Sequence, residues 1–454
     1  MASAALLNAC QRYEPRPLDL DATRDAWLAR TGDEENVRDF AARLAESDEA
    51  PTVFDPSDGL SLPEAEAVAL VFNPDLRLAR LDAGIAAAGA PYAGLWEDPV
   101  LGVDLERIVR GADGANPWVA GGTLGVTVPL SGRLEAAKSL AEARAGAELD
   151  RVVAREWATR AALRELWIEW SAAALRAQSA REAVARVRGV SELAQNQERA
   201  GSLSRVEARL FLLELSGREA DLIALDARAR ELEIQVRAML GLAPESALVL
   251  RPALGFSAPA ETDEAELRAA MERSSPELAS VRSQYEVAER SLRAEVRRQY
   301  PDLKIGPGYG SDQGDDRVLL GVEVALPIWN RNQRGIAEAR AEREAARGRF
   351  ETTYEHLASQ LSVALVRHRA ARARRELVES AVVPLADEQQ RDSMRIAELG
   401  RVEPLLLLAA FTARDDASRR LIDARAAESI GAVRVTELIG PVPRDAAAPP
   451  REPE

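Results

Sequence analysis

Apolar and polar residues alternate one for one in four short stretches of this chain. In "PVLGVDLER", Leu101, Val103 and Leu105 share one side, with Gly102, Asp104 and Glu106 opposite. Leu124, Val126 and Val128 alternate with Thr123, Gly125 and Thr127. Later, Leu303, Ile305 and Tyr309 alternate with Lys304, Gly306 and Gly308, and Leu320, Val322, Val324 and Leu326 with Gly321, Glu323 and Ala325. A period of two predicts strands with one apolar and one polar face. "GADGANPW" and "GSDQGDD", each lying between two such stretches, are hairpin-loop material.

Elsewhere the pattern is helical. One helix is predicted over about 62–95, with Pro63 near its start. From Arg133 to about Arg199 there is no proline, and glycine stands only at Gly146 and Gly189. A helix of roughly 65 residues spans about 100 Å, which no globular core requires. The segment after it carries Leu203, Val206, Leu210 and Leu213 at a/d spacing, so it is expected to fold back along the long helix. The corresponding later helix contains Pro384, expected to kink or break it.

These elements are written twice. "LGVTVPLSGRLEAAKSLAEAR" at 124–144 matches "LGVEVALPIWNRNQRGIAEAR" at 320–340, with nine of 21 positions identical. "NPDLRLAR" at 73–80 is answered by "SPELASVR" at 275–282, and "LGLAPES" at 240–246 by "IGPVPRD" at 439–445. "RAGSLSRVE", around Gly201, is answered by "ELGRVEP", around Gly400. The unit is helix, strand, strand, very long helix, helix, in a first copy over 62–245 and a second over 262–440. A period near 200 residues is a duplicated fold rather than a solenoid.

Composition narrows the function. Aromatic residues make up 4% and charged residues 29% of the 454, a mixture that favours long helices. A formal net charge of −15 argues against a nucleic-acid partner and fits an acidic surface or a cation-preferring pore. No run of 18 apolar residues occurs, which excludes a membrane-spanning helix but not a membrane β-barrel. The single cysteine, Cys10, excludes an internal disulfide. Its context, "LLNAC", resembles a bacterial lipoprotein processing site. Residues 1–10 then read as a truncated or short lipoprotein signal and Cys10 as the lipidated residue. Residues 11–61 are expected to run extended, and 441–454 to form a disordered tail.

Four half-polar strands carried on such long rods make a poor soluble sheet. In a bilayer they make sense, since spanning strands need about 9–11 residues. Four strands cannot close a barrel, which takes about eight, so several chains must contribute. The duplicated unit, the junctions at Pro129 and Pro327 that carry a strand into a helix, and the paired glycine hairpins resemble the TolC family of outer membrane efflux proteins over about 62–440. The start "RYEPRPL" after Cys10 resembles the lipoprotein branch of that family.

The resemblance implies a mainly α protein with a small β part. It would be a homotrimer whose twelve-strand transmembrane β-barrel continues into a periplasmic α-helical barrel. Such a protein is an exit duct for tripartite efflux or type I secretion, working with a periplasmic adaptor (membrane fusion) protein and an inner-membrane pump. Carried over by position, Ala200, Gly201, Ser202, Leu399, Gly400 and Arg401 become adaptor-docking tips. Glu207, Leu405, Leu406 and Ala409 fall where some members narrow the tunnel. Only Glu207 keeps an acid there, so an apolar constriction or a plain helix seam replaces the family's acidic one. Trp96, Tyr300 and Trp329 sit near the strand ends, as interfacial girdle residues in contact with outer membrane lipid or as packing at the barrel base.

Catalysis finds no support. His356 and His368, the only histidines, are twelve apart and cannot form a metal pair at helical i, i+4 spacing. There is no phosphate loop, nucleophile elbow or CxxC, and "GPGYG" at 306–310 lies in a strand. No cofactor or metal relay is expected. The alternative reading is a soluble periplasmic coiled-coil scaffold or adaptor.

Overall fold

The computed structural model describes residues 13–46, 54–110, 117–256, 263–312, 315–398 and 404–441. The first repeat comprises α3 (Leu62–Phe72), α4 (Pro74–Gly89), β1 (Val100–Arg107), β2 (Trp118–Val128), α5 (Arg133–Arg199) and α6 (Arg205–Met239). The second comprises α7 (Glu264–Ser274), α8 (Pro276–Arg297), β3 (Leu303–Asp312), β4 (Asp315–Val324), α9 (Gln333–Leu377), α10 (Val383–Glu398) and α11 (Pro404–Ile439). Two further helices, α1 (Leu20–Leu28) and α2 (Glu35–Glu46), precede the repeats.

Helix α5 has 67 residues and is the spine of the molecule. Helices α4, α6, α8 and α11 pack along it, and α9 lies beside α8 and α11. Both repeats pack through apolar clusters near mid-length. The first gathers Leu163, Trp167 and Trp170 of α5 with Val236 and Leu240 and the α3 face. The second gathers Met271, Leu357, Leu361 and Leu365 with Val435 and Ile439. Between them Ala161, Ile168 and Ala172 of α5 meet Ala426 and Val433 of α11. Alanine at these positions lets the helix axes approach closely.

Several expectations are corrected. The helix predicted over 62–95 is two helices, because Asn73 ends α3 and its side-chain oxygen caps α4 by accepting from the Asp75 and Leu76 amides (3.0 and 3.1 Å). Pro74, with no N–H to satisfy, takes the first position of α4. The segment 11–61, expected extended, carries α1 and α2 within its described part, and Val37 of α2 is fully buried in the first core. Of the proposed a/d residues of α6, Val206 and Leu213 are exposed, and Ala208 and Phe211 make the seam. Pro384 does not break its helix. Lacking the amide that would bond the Ser380 carbonyl, it follows a π-turn at Val378–Val382, in which the Val383 amide reaches back to the Val378 carbonyl. Glu379 in that turn is bound by Arg375 at 2.9 Å and by Arg425 of α11 at 2.5 Å.

Candidate functional site

The four strands form one antiparallel sheet in the order β1-β2-β3-β4. Its register aligns the alternations into two continuous faces. Leu101 pairs with Leu124, Val126 with Ile305, and Ile305 with Val322; Leu303 joins Val128 to Val324, and Pro307 faces Leu320. Side chains at paired positions point the same way, so one face is apolar except at its loop end, where Arg107, Ser311 and Asp316 lie. The opposite face carries Gly102, Thr123, Gly308 and Leu319 in one row and Thr127, Lys304 and Glu323 in another. Lys304 bonds Glu323 at 3.6 Å, and Arg317 bonds Asp312 at 2.8 Å. The strands are 8 to 11 residues long. No described helix covers either face, and the outer edges of β1 and β4 have no partner strand among the described residues. Exposed apolar faces and open edges together leave a sheet incomplete.

At one end the sheet meets the helical stem. Pro129 and Pro327 both lie between the strand and helix of their junction, but the junctions differ. The first spans 129–132 and the second 325–332. Arg133, opening α5, bonds Asp302 before β3 at 2.6 Å and Glu97 before β1 at 2.8 Å. Its hydrogen bond, followed by one from Thr127, holds the Glu97 carboxyl below the usual range. Trp96, Tyr300 and Trp329 are all exposed at this same end, whereas Trp118 stands at the far end with Arg107 over its ring.

The far end of the stem turns at Ala200–Ser204. Ala200 is the last cap of α5, Gly201 takes φ 76°, and the Ser202 amide closes the turn onto the Gln197 carbonyl at 3.0 Å. Ser204 caps α6: its hydroxyl accepts from the Glu207 amide at 3.2 Å, while the Glu207 carboxylate accepts from the Ser204 amide at 3.0 Å. Glu207 is thus half of a capping box, which accounts for an acid at that position. These Ser204 contacts hold its carboxyl below the usual range. The second tip, Leu399, Gly400 and Arg401, lies outside the described residues, as does Cys10. Leu405, Leu406 and Ala409 are exposed, whereas Leu407, Ala410 and Phe411 are buried.

Sequence reading missed the charged ties between helices. Asp415 of α11 is buried against Arg218 of α6 and against Arg186 of α5 at 2.8 Å. Glu66 of α3 accepts from Arg160 at 2.8 Å and Arg164 at 2.5 Å, both on α5. Burial pushes the Glu165 carboxyl up, against the pull of Arg434 and with the push of Glu437 and Glu169. Trp157 donates to the Glu437 carbonyl at 2.8 Å, beside a cavity of about 830 Å³ where α8 begins and α11 ends. Among the described residues no group of three or more His, Cys, Asp or Glu side chains is placed to hold a metal. None of their helices is long and apolar enough to cross a membrane, which says nothing of the sheet.

No known family profile matches the chain. A stretch of 153 residues, 33% of this chain and 35% of the other, is 28% identical to the cobalt-zinc-cadmium resistance protein CzcC of Cupriavidus metallidurans. The match thus spans about a third of that curated relative. Among solved structures, a membrane protein from Pseudomonas aeruginosa superposes with a TM-score of 0.71 at 17% identity, covering 84% of this chain and 93% of that one. The outer membrane protein VceC of Vibrio cholerae gives 0.69 at 17% identity, covering 84% and 96%. The chain therefore has the fold of these membrane proteins.

Proposed function

We propose that this chain is the outer membrane channel of a tripartite export system, a passive duct and not an enzyme. The observation that supports it best is the sheet: one face apolar, the other polar, both edges open, joined end-on to a stem built on a 67-residue helix. Three copies of a four-stranded sheet make a twelve-strand barrel with its apolar face to lipid and polar face to water. Edge β4 of one copy pairs with β1 of the next, and the stems continue the barrel as a helical tube. The tips at Ala200–Ser202 and Leu399–Arg401 then dock a periplasmic adaptor that links the duct to an inner-membrane pump. Cys10 supplies a lipid anchor. The likeness to CzcC favours divalent metal ions as cargo, and a wide conduit can carry them without ligands of its own.

Single-channel recording of the purified protein in a planar bilayer under a KCl gradient tests this reading. Discrete conductance steps with a cation-selective reversal potential are expected. Making Leu405 and Leu406 polar is expected to enlarge small steps if an apolar constriction sits there. A folded sample that never inserts or conducts would leave the coiled-coil scaffold as the better account.

A further inference from the structure

The two strand-to-helix junctions differ in a way the repeat does not require. Matched strands and helices keep a spacing of 196 residues on both sides of the junction, from Leu124 and Leu320 to Arg144 and Arg340. Yet α5 starts at Arg133, whereas α9 starts at Gln333. The residues equivalent to the first helical turn of α5, Trp329–Asn332, are unwound.

That unwinding is costly and deliberately held. Arg331 and Asn332 take φ 47° and 51°, the only positive values outside glycine among the described residues. The Asn332 amide group donates to the Glu295 carbonyl and carboxylate at 2.8 and 2.7 Å, pinning the loop to the end of α8. Arg331 Nε donates to the Pro327 carbonyl at 3.1 Å. The loop so fixed exposes Leu326, Ile328 and Trp329, the tryptophan by 91%. Leu326 continues the apolar alternation of β4. Behind this hook is a cavity of about 390 Å³ lined by Arg298, Gln299, Asn330 and Arg331. No carboxylate pairs with Arg331 among the described residues.

We infer that residues 325–332 form a phospholipid clamp on the periplasm-facing leaflet. Leu326, Ile328 and Trp329 enter the acyl boundary, and Arg331 binds the lipid phosphate beside Gln299 and Asn330, while Arg298 stays paired with Glu295 at 2.5 Å. This rests on the membrane sheet proposed above and adds a specific lipid site to it. The occupant follows from position and chemistry. The hook extends the apolar face of the sheet, and it lies at the same end as Trp96 and Tyr300, at interfacial depth. A guanidinium without a carboxylate partner beside amide donors matches a phosphodiester, and an indole suits the boundary between acyl chain and headgroup.

The test uses the full-length protein in phosphatidylglycerol-containing vesicles with plain or brominated acyl chains. The Trp329 emission is read as the difference between wild type and Trp329→Phe, a change at an exposed site that leaves the fold intact. The Trp118 emission is read in the same way from Trp118→Phe. Expected is loss of the Trp329 emission in brominated vesicles, and loss in Arg331→Gln of the phosphatidylglycerol that wild type retains in native mass spectra. If Trp118 is quenched and Trp329 is not, the sheet is in the membrane but a second copy covers the loop, and the clamp is overturned. If neither is quenched, the membrane reading falls and the clamp with it. If Trp329 is quenched but Arg331→Gln keeps its lipid, the phosphate site is overturned.

Discussion

Gly241 is packed so closely on Phe72 that a Cβ there would stand 2.1 Å from the Phe72 carbonyl oxygen. The second repeat reproduces the contact, with Gly440 2.3 Å by the same measure from the Ser274 carbonyl. Both glycines have positive φ, 71° and 85°. Each contact is tied by a side chain: Asn73 donates to the Met239 carbonyl at 2.9 Å, and Ser274 to the Ile439 carbonyl at 3.0 Å. These two knots fasten the outgoing helix of each repeat to the incoming one at mid-stem.

Gly241→Ala and Gly440→Ala are therefore expected to destabilise the stem severely. The left-handed backbone alone costs about 1–3 kcal/mol. The clash with a carbonyl adds to it, since backbone cannot swing aside as a side chain can. Gly201→Ala is the control: φ is 76°, but nothing lies within 4 Å of its added Cβ. Thermal loss of helical circular dichroism should order the three with Gly201→Ala mildest. Equal effects would mean that only the backbone angle matters.

The Ser204–Glu207 box sets the stability of the first tip. Ser204→Ala is expected to cost about 1 kcal/mol locally. Glu207 has a folded value below its ordinary one, so its contribution is complete above the ordinary glutamate range. It is lost as pH falls through the lowered value. Hydrogen exchange at 200–210 should quicken in Ser204→Ala and in Glu207→Gln, and in wild type on acidification. Glu207→Gln exchanging like wild type at every pH would show that the carboxylate charge is irrelevant.

How much of this could be read beforehand depended on how local the cause was. The ends of α5 were legible because Pro129 and Gly201 bracket a run without proline. Strand faces were legible because alternation is a property of neighbours. Local signals were also missed: Asn73-Pro74 announces a helix boundary, and Ser204-Arg-Val-Glu207 spells a capping box. The exposure of Val206 and Leu213 was not legible, since a/d spacing fits more than one face and tertiary packing chose Ala208 and Phe211. The charged ties were out of reach, because Asp415 lies 197 residues from Arg218 and no local rule couples them.

Asp415 joins α5, α6 and α11, and so holds the two hairpins of the chain together. Its side chain is 7% exposed and that of Arg218 12%. Asp415→Asn is expected to destabilise by about 1.5–3 kcal/mol, because the buried Arg218 guanidinium loses a charged partner and keeps only one, Glu214 at 2.7 Å. Asp415→Leu combined with Arg218→Met should recover most of that loss. A double variant no more stable than Asp415→Asn would mean that the charges do more than satisfy one another.

Leu319 and Leu320 are neighbours in β4 on opposite faces of the sheet. Leu319 faces Gly308 in the polar row, and Leu320 faces Pro307 in the apolar one. In the protomer they differ little, at 51% and 71% exposure, so packing within one chain predicts similar tolerance of a charge. A bilayer does not. An arginine on a lipid-facing strand position costs about 2–4 kcal/mol near the midplane, whereas a lumen position accepts it and changes selectivity. Leu320→Arg should therefore fold poorly into membranes, while Leu319→Arg should insert and shift the reversal potential away from cations. Equal insertion of the two variants would remove the lipid from one face of this sheet, and with it the barrel.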